Sequence, residues 1–234
     1  LTEFELAMGF SYAPATVQVR SGTERATLVR RTYGLVFLSV ITTILGSAFA
    51  FSQPAVMDGV LQHPFITFIC MFVPLIMAQR AARDFPKNLI LTFLFTFIEG
   101  IWLAPFLMLA DRNAPGVVGQ AAVLTFAAFG VLSLYAVVSR RDFSAWGSFL
   151  MVGVFVLLVA MILNAFIGSA AGGLWIAAIG VMIFSGLLVF DTWRLLRSGA
   201  YGQDDYVLTA VAIYLDLLNM FVFILSLLGG GRRR

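Results

Sequence analysis

The sequence predicts an all-α, polytopic membrane protein of seven transmembrane helices, and three observations carry this. Of 234 residues, 61% are hydrophobic and only 12% charged, whereas a soluble domain is about 45–50% apolar and about 25% charged. The mean hydropathy is +0.97. The apolar residues lie in continuous runs rather than in alternation, which argues for helices and against a β-barrel. So few charges cannot cover a water-soluble globule this apolar, and the surrounding medium must be lipid. The same figures exclude disorder, a collagen-like fibre and a coiled coil. A single cysteine, Cys70, cannot form an internal disulfide, and a single histidine, His63, cannot build a zinc site.

A bilayer core about 30 Å thick requires roughly 20 apolar residues in a helix. The first such run covers about 32–51. The second, short and interrupted by Pro74, covers about 65–79, and the third about 88–110. The fourth covers about 117–138, the fifth about 146–167, the sixth about 173–190 and the seventh about 206–228. The connections are short, so no soluble domain is inserted. Residues 1–30, with Glu3, Glu5, Arg20, Glu24, Arg25 and Arg30, read as a polar, mostly disordered tail without a signal peptide. The transmembrane domain is then 31–234.

Arginine and lysine set the expected orientation. Arg80, Arg83 and Lys87 follow span two, Arg140 and Arg141 follow span four, and Arg194 and Arg197 follow span six. The opposite connections hold only Arg112. The positive-inside rule therefore places the N-terminus in the cytoplasm. Seven crossings put Arg232, Arg233 and Arg234 outside, against the rule. The net charge of +3 is spread over these topology signals and forms no nucleic-acid face. Phosphate-cradling glycine loops, Cys/His clusters and a Ser–His–Asp set are missing from the sequence, so no enzyme and no cofactor is expected.

Nine of the twelve acidic residues lie in the tail or the connections; Glu99, Asp191 and Asp216 do not. A charge at the bilayer centre costs about 2.5–3.5 kcal/mol on insertion scales, so such residues are functional by default. Asp216 lies near the middle of span seven. With Thr209, Asn219 and Ser226 it occupies roughly a 100° sector, a polar stripe that suits a helix surrounded by others. Thr92, Thr96 and Glu99 share roughly a 60° sector of span three. Asp191 ends span six, one turn before Arg194. Two structural readings compete: Asp191 as an interfacial carboxylate beside Arg194, and Glu99 as a protonated carboxyl bonded to a neighbouring helix.

The segment Ala212-Ile-Tyr-Leu-Asp-Leu-Leu-Asn-Met-Phe221 resembles the last-helix signature of the Bax inhibitor family. Phe190-Asp-Thr-Trp-Arg194 resembles that family's Tyr-Asp-Thr-Gln motif, with Trp193 in place of Gln. Glu99-Gly-Ile-Trp-Leu-Ala-Pro105 and Ser139-Arg-Arg-Asp-Phe-Ser144 resemble two further family stretches. The resemblance implies six helices around a central seventh and a pH-sensitive Ca²⁺ leak. It implies that Asp191 and Asp216 share a proton as gate and sensor and offer oxygens to Ca²⁺. It also implies an arginine latch near the end of span two, Arg80 or Arg83, and a place in a bacterial inner membrane. Glu99, Thr209 and Asn219 are the further candidate path residues, and Glu99 departs from the family pattern. The alternatives are a proton-coupled exchanger, and a membrane-embedded regulator that binds a protease or death factor.

Overall fold

The computed structural model describes residues 22–197 and 201–230. Residues 1–21 of the expected tail and the C-terminal arginines lie outside the described residues. All regular structure among the described residues is helical: α1 (Gly22–Ser52), α2 (Pro54–Gln62), α3 (Pro64–Arg80), α4 (Lys87–Asn113), α5 (Val117–Val138), α6 (Trp146–Ile167), α7 (Ala170–Arg197) and α8 (Tyr206–Gly230), with a 3₁₀ turn at Gln203–Asp205. In lipid each backbone N–H and C=O must be paired within its own segment, which is what uninterrupted helices accomplish.

Six of these helices, α1 and α4–α8, are long and apolar enough to cross a membrane. The expected second span falls in a bent pair, α2 and α3, which meet at 102° around His63, so the crossings number six, or seven with the pair taken as one broken span. Pro54 and Pro64 open the two halves at the first helical position, where a missing N–H costs nothing. The boundaries of α5 and α6 coincide with the expected ones. Gly116, at φ +79°, precedes α5, and Gly168, at φ +68°, caps α6. These left-handed positions favour glycine and stop a helix sharply.

Two boundaries differ from expectation. α1 begins at Gly22, so Glu24, Arg25, Arg30 and Arg31 are helical rather than part of a loose tail. Its first turns remain polar because they project beyond the apolar stretch. α7 runs on to Arg197, which places Asp191 inside the helix.

α8 is the central helix. Half of its most apolar window is buried, more than in any other crossing helix. It touches α1, α3, α4, α5 and α7, while α6 packs only on α7 among the described residues. α6 accordingly has 11% of its window buried. Small residues bring the backbones together, as expected between membrane helices. A Cβ on Gly46 would overlap the Phe97 carbonyl oxygen, and one on Gly100 that of Thr43. This is the α1–α4 seam, bridged by Ser47 Oγ donating to the Gly100 carbonyl at 2.8 Å. A Cβ on Gly180 would lie 2.6 Å from the Phe223 ring, so α7 and α8 meet closely there too.

Candidate functional site: carboxyl groups around the central helix

α8 carries polar groups to two sides. Asp216 lies about ten residues, or roughly 15 Å, from the start of α8, and Asp191 about 9 Å from the end of α7 at 1.5 Å per residue. Helix packing closes this difference, and the two carboxyl groups become neighbours that act on one another. Asp216 is 5% exposed and Asp191 half-buried. A hydrogen bond between two carboxyl groups requires that one of them carry the proton, because a carboxylate only accepts. Asp216 Oδ2 is buried and has no hydrogen-bond partner among the described residues. The charge of Arg194, one turn beyond Asp191, acts on Asp191. The Arg194 guanidinium also lies 4.9 Å from the centre of the Tyr201 ring.

Tyr214 precedes Asp216 by two residues and points about 200° away around the helix. Its hydroxyl meets Glu99 Oε2 at 2.9 Å and Thr43 Oγ1 at 2.6 Å. Thr43 Oγ1 also lies 2.9 Å from the Ser39 carbonyl. All of these side chains are buried. Each hydroxyl has one proton to donate. The three contacts are therefore satisfied together only when the Glu99 carboxyl is protonated and donates to Tyr214. With Glu99 ionised, Tyr214 donates to it, Thr43 donates to Tyr214, and the Ser39 bond is given up.

A cavity of about 370 Å³ adjoins this group. Thr43 and Ser47 of α1, Leu103 of α4, Thr125 of α5 and Tyr214 of α8 contribute to its walls. The backbones of α1 and α5 stay apart and the two helices meet through the Tyr33 and Phe129 rings, centroids 5.9 Å apart, so the cavity sits where the ring of helices is loosely closed.

Thr209, on the same face of α8 as Asp216, bonds Thr32 of α1 at 2.8 Å. Asn219 Nδ2 donates to the Leu215 carbonyl and Ser226 Oγ to the Val222 carbonyl. The polar stripe is thus divided between an interhelical contact, the carboxyl pair and two self-satisfied side chains. Thr92 and Thr96 likewise donate to carbonyls of their own helix.

The arginines separate. Arg80 is exposed and makes no ion pair among the described residues. Arg83 forms a two-pronged pair with Asp205, Nε to Oδ1 at 2.8 Å and Nη2 to Oδ2 at 3.2 Å. Asp205 is 4% exposed and also accepts from the Gly202 N–H at 2.7 Å. The hydrogen bond and charge of Asp205 push the Arg83 guanidinium above its ordinary value, so the pair stays ionised. Arg83 therefore pins the start of α8 rather than touching Asp191. Sequence reasoning assigned Asp205 to an ordinary connection and passed over Tyr214 and Thr43. The Tyr in Ala212-Ile-Tyr-Leu-Asp was on view, but nothing in the sequence pairs it with Glu99.

No third acidic, histidine or cysteine ligand joins the aspartates among the described residues. Two carboxyl groups suit a passing hard cation, which takes six to eight oxygens when held permanently.

The family profile described as "Inhibitor of apoptosis-promoting Bax1" matches residues 25–233. The chain belongs to the Bax inhibitor family. Relatives within it include an uncharacterized membrane protein of Vibrio cholerae, 31% identical over 206 residues, 86% of this chain and 88% of that one. The Golgi anti-apoptotic protein of vaccinia virus is 31% identical over 97% of this chain and 92% of its own length. Bax inhibitor 1 of Schizosaccharomyces pombe is 26% identical over 88% of this chain and 77% of its own. The family match spans every crossing helix, so the membrane-embedded bundle described above is the family's domain.

Proposed function

We propose that this Bax inhibitor family protein is a passive cation path, with Ca²⁺ the favoured ion, gated by the Asp191–Asp216 pair. The observation that carries the reading is the neighbouring of two carboxyl groups between α7 and the central α8, with one buried Asp216 oxygen left without a partner among the described residues. While one proton is shared, the pair holds α7 to α8 as a neutral bridge. When the last proton leaves, two adjacent carboxylates repel and present oxygens to a cation, so conduction rises with pH. The Thr32–Thr209 contact and the Glu99–Tyr214 group supply further polar atoms along α8. Arg83 is the latch in this reading, through its grip on the turn that starts α8. The N-terminus is assigned to the cytoplasm and the protein to a bacterial plasma membrane, from the arginine distribution and the bacterial relatives. No catalytic step is assigned.

The test is Ca²⁺ flux into proteoliposomes between about pH 6 and 8, a range centred on physiological titration, for the parent, Asp191→Asn and Asp216→Asn. Flux that rises with pH in the parent and is flat in either variant supports the gate. Folded, inserted protein that passes no ion at any pH refutes it. A second reading, a membrane-embedded regulator, is favoured by one observation: α6 rests on α7 alone and offers the bundle's most exposed crossing face. It gains support if flux is absent and substitutions on that face abolish co-purification of a membrane partner.

A further inference from the structure

A second cavity, of about 630 Å³, lies at the end of the bundle where α1, α4 and α8 begin. Its rim is basic: Arg30, Arg31 and Arg83 line it, with Asp204 opposite. Below the rim the wall is apolar, formed by Leu35 and Leu38 of α1, Phe85, and Leu89 and Phe93 of α4. We propose that this cavity binds an anionic phospholipid, its phosphate on the arginine rim and one acyl chain against the apolar wall. The proposal goes beyond the ion path and does not depend on it.

The charge arrangement selects the occupant. Arg30 has no ionic partner among the described residues. Arg31 reaches Asp204 only at 3.9 Å, and both side chains are largely solvent-accessible, at 47% and 78%. Such an exposed pair is weak and readily exchanged for a better anion. Arg83 spends Nε and Nη2 on the buried Asp205 and keeps Nη1 for another acceptor. A phosphate accepts from several guanidinium N–H groups at once, and basic pockets between membrane helices hold anionic head groups for this reason. Position supplies the second argument. Arg30 and Arg31 immediately precede the apolar run of α1, which puts the rim at the depth of head groups and the wall at the depth of acyl chains. A free phosphate would use the rim and leave the wall idle.

Gly34 lines the same cavity, and a Cβ there would meet nothing within 4 Å. Gly34→Leu therefore fills the groove without straining the fold. The experiment is native mass spectrometry of the full chain in detergent, titrated with phosphatidylglycerol or phosphatidylcholine. Phosphatidylglycerol should bind in preference. Arg30→Gln with Arg31→Gln should weaken it roughly thirtyfold, the product of several-fold per arginine near an anionic surface. Gly34→Leu should weaken both lipids with the arginines intact, and Arg140→Gln with Arg141→Gln, a basic pair elsewhere, should change nothing. Equal binding of the two lipids by the parent overturns the proposal. So does undiminished phosphatidylglycerol binding in Gly34→Leu, or displacement of the lipid by inorganic phosphate, which would mark an anion site only.

Discussion

Tyr214→Phe removes one oxygen from the interior and nothing else of consequence. The Phe95 ring stays in its edge contact, 6.1 Å from the Tyr214 ring, and no cavity is opened because the site is 1% exposed and the ring remains. What is lost is the hydroxyl between Thr43 and Glu99. Thr43 keeps its contact with the Ser39 carbonyl; Glu99 is left without a hydrogen-bond partner among the described residues and remains buried. Interhelical hydrogen bonds in membranes average about 0.6 kcal/mol and reach about 1.7, while a buried polar group left unpaired costs about 1–3 kcal/mol. The expected loss is therefore about 1–3 kcal/mol, read as the shift in unfolding free energy during reversible SDS denaturation in mixed micelles. Thr43→Val should cost less, about 0.6 kcal/mol, because Glu99 keeps its tyrosine. A cycle of Tyr214→Phe with Glu99→Leu should show coupling of about 1 kcal/mol. A Tyr214→Phe protein within about 0.3 kcal/mol of the parent, with additive effects in the cycle, would refute the account.

Gly46→Ala and Gly100→Ala each drive a methyl group into a backbone carbonyl of the partner helix, so each should lower stability by about 1–3 kcal/mol or more, seen as early aggregation on heating in detergent. Gly180→Ala meets a side chain instead, the Phe223 ring, so Phe223→Leu should restore most of what Gly180→Ala removes when the two are combined. Asp205→Ala should speed hydrogen exchange at the start of α8 more than Arg83→Gln does, since Asp205 also holds the Gly202 N–H. Raising salt should act on the exposed Arg31–Asp204 pair before the Arg83–Asp205 pair. If Arg83 is the latch, Arg83→Gln should leak Ca²⁺ at acidic pH where the exposed Arg80→Gln does not; equal behaviour of the two would remove Arg83 from the gate.

The sequence by itself determined the solvent, the helical class and most helix boundaries. The apolar runs are too long and continuous to be anything else, and α5 and α6 end where glycine and polar residues interrupt them. It also singled out Glu99, Asp191 and Asp216, because a carboxyl group within an apolar run is expensive wherever the helix is placed. Residues 22–31 misled it, since hydropathy registers where lipid begins and not where hydrogen bonding along the helix begins. The pairings were decided by the tertiary structure alone. Asp191 and Asp216 are 25 residues apart and offset along their helices, and Glu99 finds Tyr214 across 115 residues. Asp205 takes Arg83 rather than leaving it for Asp191. Periodicity fixes the face of a helix on which a residue stands. Tilt and closeness of approach, set by glycines such as Gly46, Gly100 and Gly180, fix which face it meets and at what depth.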